Sequence, residues 1–312
     1  MLITLTTAPE PGDPNGFAAL LDGVDSAHRA GFTRAWTPQM PPVPGLPTWD
    51  ALTALAVAGA RTPDIELGTS VVVAQTQHPF VLARQALTTA AAADGRLLLG
   101  IGVSHRWVIS DVFGLDFSAP AAYLREYLEV LGPALAGKPV DHHGARITAV
   151  GQLTPPGSAT PPILAAALGP RMLRIAGELT AGTVTTWTGP RALADHIVPG
   201  ITKAADAAGR PAPQVIAGLP VSVTADVAGT REQLEQSFGG AAQMPSYRAM
   251  LDLEGVDSAA DISVFGDEDA VRAQLRRFAD AGVTEFTAMP FGDAEAQVRT
   301  TAFLAAHRDA FA

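Results

Sequence analysis

The amino-acid sequence predicts an α/β protein built as a (β/α)8 TIM barrel with insertions, and three observations lead to this fold class. Strand-like segments alternate with amphipathic helical segments along the chain. Eight such strands can be counted, each followed by a helix. The length of 312 residues fits a barrel with insertions, because barrels have about 250 residues and can exceed 400. A doubly wound sheet would show fewer units and a glycine-rich turn after its first strand, whereas Thr6-Thr-Ala-Pro-Glu10 contains no glycine.

The predicted strands are short runs rich in β-branched and apolar residues. In chain order they are Leu2–Thr6, Thr33–Thr37, a strand ending in Leu67–Ser70, a strand running into Gly100–Arg106, Ile163–Ala167, Thr183–Thr186, Val215–Thr224 and Glu285–Pro290.

The predicted helices carry apolar side chains at helical spacing, and glycine follows several of them. They are Phe17–Ala30, a helix from the N-cap Thr48 to Ala60, an alanine-rich helix after His78-Pro79, Ser118–Leu135, Pro170–Leu179, Pro190–Ala208, Asp267–Ala281 and Ala294–Phe311. Proline-rich loops are predicted at Pro9–Pro14 and Pro38–Pro47.

Two segments interrupt the alternation and are interpreted as insertions into a single domain that spans residues 1–312. The first covers about 138–162 and contains a predicted β-hairpin, Val140–Val150, around a His143-Gly144 turn. The second covers about 230–262 and is predicted to be helical over Thr230–Val256.

Composition limits the possible partners and environment. A net charge of −10 and the absence of a basic stripe argue against nucleic acid. The longest apolar run, Ala51–Ala60, is too short to cross a bilayer, and the N-terminus lacks the features of a signal peptide. We therefore expect a cytoplasmic protein that acts on a small molecule and binds no membrane. Without cysteine, disulfides and thiolate chemistry are excluded.

If the fold is a barrel, the residues that follow the strand C-termini line one mouth, where ligands bind. They are Thr7, Gln39, Thr69, Ser70, Val71, Ser104, His105, Leu168, Gly169, Thr186, Trp187 and Met289.

The Gly169-Pro170 step between a strand and a helix is a candidate phosphate site. Proline fits the first helical position, where its missing N–H is not needed. The free N–H groups of that first turn would face the barrel mouth and favour an anion, and Arg171 adds positive charge. An ordinary turn between strand and helix remains the alternative interpretation.

His105 is the candidate acid or base, because imidazole can hold or release a proton near pH 7 and this residue follows a strand end. A loop histidine bonded to backbone is the alternative. The segment Gly102–Arg106 is close to a nucleophile elbow, but Arg106 stands where the second glycine is required, which argues against a hydrolase.

The remaining titratable residues favour structural roles. His78 precedes a helix and is predicted to cap it or to pack at its start. His142 and His143 lie in the hairpin without a third ligand nearby, so no metal site is predicted. The acidic run from Asp267 is predicted to cap its helix.

Taken together, several short motifs resemble the luciferase-like monooxygenase superfamily, and most closely its actinobacterial branch that uses the deazaflavin coenzyme F420. The motifs span nearly the whole chain. They are Leu67–Val71, His78-Pro79, Gly95–Leu97, Gly100–Val103, Ala167–Ala176, Gly266–Asp269 and Phe278–Val283.

This resemblance implies a barrel that is usually a homodimer, with a flavin-type ring bound at the strand C-termini. It implies a non-proline cis peptide bond at Ser70-Val71, with the ring stacked against it, and a phosphate contact with backbone around Leu168–Arg171. His105 falls where the family's sugar-phosphate dehydrogenases carry a catalytic glutamate. Gln39 and Met40 replace an Asp-His pair of those relatives, so their substrate is not transferred to this chain.

The sequence therefore leads to one preferred function and two alternatives. The preferred function is hydride transfer between coenzyme F420 and an unidentified, apolar organic substrate. The alternatives are an FMN-dependent monooxygenase and a non-catalytic flavin-binding protein. The candidate catalytic residue is His105. The candidate cofactor-binding residues are Thr7, Gln39, Thr69, Ser70, Val71, Ser104, His105, Arg106, Leu168, Gly169, Pro170 and Arg171.

The expected substrate pocket is mostly apolar. Its walls would come from three loops after the strands, which are Pro38–Pro47, Val108–Phe117 and Ala242–Leu253. The large side chains at these walls are Trp107, Phe113, Met244 and Tyr247.

Overall fold

The computed structural model of the chain describes residues 1–8, 16–44, 46, 49–157 and 159–311. Eight parallel strands close into a barrel, in the order given by chain position with the last strand returning to the first. The strands of this ring are β1 (Leu2–Thr6), β2 (Arg34–Thr37), β3 (Glu66–Thr69), β5 (Leu97–Gly102), β8 (Ile163–Ala165), β9 (Gly182–Thr186), β10 (Gln214–Val223) and β12 (Glu285–Pro290). The predicted fold class is confirmed.

In the described part of the chain, four further strands lie outside this ring. Val72–Val73 (β4) continues the third barrel strand beside β5, and Val264–Gly266 (β11) pairs with the C-terminal end of β10. Val140–His143 (β6) and Thr148–Gly151 (β7) form the predicted antiparallel hairpin within segment 138–162.

Helices surround the barrel and bury their apolar faces against its outer surface. They are α1 (Gly16–Arg29), α2 (Ala51–Arg61), α3 (Pro79–Ala92), α4 (Pro120–Leu135), α5 (Pro170–Leu179), α6 (Pro190–Ala192), α7 (Val198–Ala207), α8 (Val227–Phe238), α9 (Pro245–Glu254), α10 (Glu268–Asp280) and α11 (Ala294–His307). No helix among the described residues is both long enough and apolar enough to cross a bilayer.

The inside of the barrel is a packed core. Five side chains that alternate along the strands fill it, which are Trp36, Leu98, Leu164, Val184 and Ile216. The ring of Trp36 occupies the space beside Gly68, where a Cβ atom would overlap it. The barrel interior is therefore filled, and a ligand has room at the C-terminal mouth, where barrel enzymes bind their substrates.

Several boundaries differ from the sequence-based expectation. The helix predicted from Thr48 begins at Ala51, and Asp50 caps it through its side chain and the Thr53 N–H. Thr48 itself, the loop Pro9–Pro14 and parts of Pro38–Pro47 lie outside the described residues. The helix predicted over 190–208 contains a π-helical turn, Leu193–Ile197.

The segment predicted as one helix over Thr230–Val256 is two helices. A 3-10 turn, Gly239–Gln243, separates α8 from α9. Pro245 occupies the first position of α9, where a proline is tolerated but cannot continue a preceding helix. This break lets α9 change direction and reach the mouth of the barrel.

Candidate active site

The mouth of the barrel is lined by side chains that are partly exposed, whereas the strands beneath them are buried. This contrast marks an open cleft at the C-terminal ends of the strands. The partly exposed rim residues are Thr6, Gln39, Ser70, Val71, Ser104, His105, Ala166, Leu168, Thr186 and Met289.

Val71 forms a wall of this cleft. The Ser70-Val71 peptide bond is cis, as the resemblance implies. The Val71 side chain packs on top of the barrel's inner core and lies close to Gly100 and Gly102 of β5. A Cβ atom at Gly102 would stand 2.9 Å from a Val71 methyl carbon and 3.1 Å from the Ala166 Cβ. The Val71 side chain can pack here because Gly100 and Gly102 of β5 have no side chains.

Three of the predicted cofactor-binding residues use their side chains to support the protein. The Thr69 hydroxyl donates to the Gly100 carbonyl at 2.7 Å. The buried Thr7 hydroxyl lies 3.3 Å from the Trp36 carbonyl and 3.2 Å from the Thr37 hydroxyl. The Gln39 side-chain oxygen Oε1 accepts a hydrogen bond from the Ala51 N–H at 2.8 Å and so joins the loop after β2 to the start of α2.

His105 follows β5 and lies at the mouth. Ser104 before it has φ of 59°, a left-handed conformation that turns the chain at the strand end. The His105 ring makes an edge-on contact with Tyr247 of α9, with ring centroids 5.1 Å apart and planes at 68°. Burial lowers the pKa of His105 from its usual value of 6.5, because the imidazolium is poorly solvated there. His105 is therefore neutral at pH 7 and able to accept a proton.

The loop after His105 is apolar and exposed. Arg106 precedes the π-helical turn Trp107–Val112 and stacks over the Phe117 ring at 5.4 Å. The exposed apolar side chains of this loop are Trp107, Val112, Phe113 and Leu115. Such a cluster beside a cleft is typical of a surface that contacts an apolar ligand.

The start of α5 offers free backbone N–H groups at the same mouth. Gly169 is its N-cap and provides no side-chain hydrogen bond, and Pro170 follows at the first helical position. Nothing lies within 4 Å of a Cβ built on Gly169. Arg171 is exposed and forms no ion pair or hydrogen bond among the described residues. These features favour an anion at this position.

A cavity of about 480 Å³ lies between the start of α5 and α9. Its lining residues are Gly169, Pro170, His196, Ala249, Met250, Asp252 and Leu253. A ring nitrogen of His196 lies 2.7 Å from the Leu168 carbonyl oxygen and fixes the strand end beside this cavity.

The start of α6, which follows the next strand, provides a comparison. Gly189-Pro190-Arg191 repeats the Gly169-Pro170-Arg171 sequence, but here the Glu254 carboxylate of α9 accepts from the Ala192 N–H at 2.9 Å. One of two similar helix starts thus holds a carboxylate from the protein. The start of α5 has no such side chain within the described ranges.

The structure brings most predicted mouth residues onto one rim, and it adds residues that were not predicted. Ser70, Val71, Ser104, His105 and Leu168 lie at the cleft. Tyr247 was expected only as an apolar wall, and nothing in the local sequence signals its contact with His105. The contributions of His196 and Glu254 were not predicted, because they depend on how distant segments pack.

Other titratable residues have structural partners. The His78 Nδ1 accepts from the Phe80 N–H at 3.2 Å, which confirms the predicted cap. The Asp267 side chain caps α10 in the same way through Ala270. His142 lies 3.8 Å from Glu126, whose carboxylate accepts from the backbone N–H groups of Arg146 and Ile147. Within the described residues, no three His, Asp or Glu side chains are grouped to hold a metal ion.

Comparisons with known proteins find relatives that align with most of the chain. A Mycobacterium tuberculosis protein with the provisional name coenzyme F420-dependent oxidoreductase is 28% identical, over 90% of this chain and 92% of its own. The F420-dependent glucose-6-phosphate dehydrogenase of Nocardia farcinica is 27% identical, over 84% of this chain and 82% of its own. The solved structure of an F420-dependent secondary alcohol dehydrogenase with an F420-acetone adduct superposes with a TM-score of 0.81 at 17% identity, covering 96% of this chain and 97% of the other.

The family comparison covers most of the chain. The sequence profile described as luciferase-like monooxygenase matches residues 1–285. The chain therefore belongs to the luciferase-like monooxygenase family of enzymes.

Proposed function

We propose that this protein is a coenzyme F420-dependent oxidoreductase that transfers a hydride between the deazaflavin and an apolar organic substrate. The observation that carries the proposal is the Val71 wall, which faces an open mouth and rests on glycine-lined β5. The F420-dependent relatives support it, since they align with this chain over most of its length.

The residues at the mouth fit a flat ring with an anionic tail. Gly100, Gly102 and Ala166 leave the inner face of the barrel free of bulky side chains next to Val71. The start of α5 has free N–H groups and no acidic cap. Arg106 and Arg171 provide positive charge that is not neutralised by an ion pair among the described residues, despite the acidic protein as a whole.

The protein supplies position and proton transfer, while the deazaflavin supplies the hydride acceptor or donor. Val71 would hold the ring, and the apolar side chains of Trp107 and Phe113 would exclude water from the mouth. His105 is neutral at pH 7 and takes up the proton released at the mouth when an alcohol is oxidised. In the opposite direction, its protonated form would supply the proton that reduction of a carbonyl compound consumes.

A titration of purified protein with three compounds tests the cofactor. Quenching of cofactor fluorescence would be recorded with F420, with the same deazaflavin lacking its anionic tail, and with FMN. We expect F420 to bind more tightly than FMN and more tightly than the tail-free deazaflavin, because only F420 offers both ring and tail. Tighter binding of FMN than of F420 would contradict the proposal.

Replacing Arg171 by Gln tests the tail site at the start of α5. We expect the affinity for F420 to fall about two- to fivefold, as exposed charge pairs contribute about 0.2–1 kcal/mol. The affinity for the tail-free deazaflavin should not change. The matched control is Arg174→Gln on the same helix, an exposed arginine whose guanidinium lies 3.8 Å from Glu178. Equal losses in both variants would remove Arg171 from the tail site.

An FMN-dependent monooxygenase is the second candidate, favoured by the matched profile, which describes monooxygenases. It predicts oxygen consumption with reduced FMN, which the F420 proposal does not. A non-catalytic flavin-binding protein would bind the cofactor but fail to turn over enones, alcohols or imines. The homodimer implied by the resemblance remains a prediction.

A further inference from the structure

Two polar side chains at the mouth have no hydrogen-bond partner among the described residues. Neither ring nitrogen of His105 forms a hydrogen bond or ion pair with a residue that the structure describes. The Tyr247 hydroxyl also forms none within the described part of the chain. Burial raises the pKa of Tyr247 to about 12, so this phenol keeps its proton over the physiological pH range.

Both residues are only partly buried, so a ligand at the mouth can reach their polar atoms. Their rings lie side by side, with centroids 5.1 Å apart. One comes from the end of β5 and the other from α9. Two adjacent polar groups at the mouth, without partners among the described residues, suit a ligand that places a polar atom at this point.

The position of Tyr247 is fixed by the packing of α9. Met250 and Leu251 of this helix are buried in the core. The Glu254 carboxylate at its C-terminal end accepts from the Ala192 N–H at the start of α6. The Tyr247 N–H donates to the Met244 carbonyl at 3.0 Å in the first turn. The phenol is thus held against His105 by both ends of its helix.

The segments that carry this pair expose apolar side chains. They are Trp107 and Phe113 in the loop after His105, and Leu253 on the helix that carries Tyr247. A substrate that fits this site would form a hydrogen bond at one position and contact apolar side chains elsewhere. Such a molecule has one oxygen-containing group on an otherwise hydrocarbon skeleton.

We propose that Tyr247 is a catalytic residue that donates its hydroxyl proton to the oxygen of an apolar ketone, with His105 returning the proton from solvent. This inference rests on the proposed function, because a reduced deazaflavin must supply the hydride. The hydride forms the new C–H bond at the carbonyl carbon, the C=O π electrons move to oxygen, and the proton of Tyr247 forms the O–H bond. The ketone is reduced to a secondary alcohol and the deazaflavin is oxidised. Alcohol oxidation is the same sequence in reverse.

The test compares two probes of equal shape, cyclohexanone and methylenecyclohexane, which differ only by oxygen in place of CH₂. Their dissociation constants would be measured by ligand-observed NMR, first with cofactor-free protein and then with deazaflavin-loaded protein. We expect wild type to bind the ketone about five- to tenfold more tightly than methylenecyclohexane, because one neutral hydrogen bond contributes about that much affinity. The preference should disappear in Tyr247→Phe, which keeps the ring and its contact with His105.

Tyr123→Phe is the matched control, because Tyr123 lies on α4 and its ring contacts Tyr127. We expect it to leave the ketone preference unchanged. In the loaded enzyme, Tyr247→Phe should lower ketone turnover by about 10²- to 10⁴-fold, the usual contribution of a general acid. The cofactor affinity should not change.

Three results would overturn the inference. These are equal affinities of the two probes in wild type, a ketone preference that survives Tyr247→Phe, and no ketone binding up to its solubility limit. Failure to bind a deazaflavin would instead overturn the proposed function alone. The ketone preference of the cofactor-free protein would then still report on Tyr247, so the two failures are distinguishable.

Discussion

At the scale of single residues, His105 differs from the other mouth residues because its state depends on pH. Its side chain is partly buried at the end of β5 and has no acidic partner among the described residues. Desolvation therefore lowers its pKa without an opposing charge. A neutral imidazole has one unprotonated nitrogen that can accept a proton, and it has no positive charge to bind an anion. His105 is therefore better suited to accept a proton than to bind an anion.

The lowered pKa of His105 predicts how stability changes with pH. In the unfolded chain this histidine takes up a proton below about pH 6.5, whereas in the folded protein it does so only at lower pH. The unfolded state thus binds more protons in this range, so the free energy of unfolding falls as the pH falls. Above pH 6.5 this contribution is fully present.

Urea unfolding of wild type and His105→Gln at a series of pH values measures this effect. Wild type should lose more stability than the variant between pH 7.5 and pH 5.5. His28→Gln, in the last turn of α1, is the control for replacing a histidine away from the mouth. Parallel stability profiles for wild type and His105→Gln would show that burial does not shift this group.

At the scale of secondary-structure elements, β5 supports the end of β3 and leaves the mouth of the barrel open. Its inner face carries glycine at positions 100 and 102, so the bulged end of β3 can press against it. A Cβ atom at Gly100 would overlap the Thr69 carbonyl oxygen, which is backbone and cannot rotate away. The pairing of these two elements therefore requires glycine at this position.

Replacing Gly100 by Ala should lower the free energy of unfolding by about 1–3 kcal/mol, the usual effect of overpacking a core. It should also weaken cofactor binding, because the end of β3 would move with Val71. Gly23→Ala in α1 is the matched control. Its nearest neighbour is a Thr7 side chain at 3.7 Å, so alanine fits and should stabilise the helix by about 0.5–1 kcal/mol. Chemical denaturation measures the free energy of unfolding of both variants. A change of the same sign in Gly100→Ala and Gly23→Ala would contradict this account.

The same scale shows what could be predicted from the sequence. Strands and helices with clear periodicity were placed within a few residues, as α5 illustrates, since it runs from Pro170 to Leu179 in both prediction and structure. Strand β11 was missed because three residues are too few to show a period. The approach of Tyr247 to His105 was missed because it depends on the direction of α9 after its break from α8.

At the scale of the whole molecule, the two ends of the barrel have different chemistry. The C-terminal end carries the cleft, with polar groups that have no partner in the described part of the chain. The N-terminal end is closed by a network around the buried Glu285. Its carboxylate accepts from the Thr4 hydroxyl at 2.8 Å and the Trp36 indole N–H at 2.5 Å, and it pairs with Arg34. The six residues of β12 separate the two ends, at roughly 3.3 Å each.

This separation predicts that stability and ligand binding can be changed independently. Glu285 joins β12 to β1 and β2, so it holds the first and last strands of the ring together. Its side chain is 3% exposed, whereas Glu66, which also pairs with Arg34, has a side chain that is 45% exposed. Glu285→Ala should lower the free energy of unfolding by about 3–5 kcal/mol, because Arg34 would keep a buried charge without its main partner. Glu66→Ala should lower the free energy of unfolding by less than about 1 kcal/mol.

Cofactor affinity should match that of wild type in both variants, when it is measured under conditions where each variant is folded. If fully folded Glu285→Ala bound the cofactor more weakly, the closed end of the barrel would also shape the mouth.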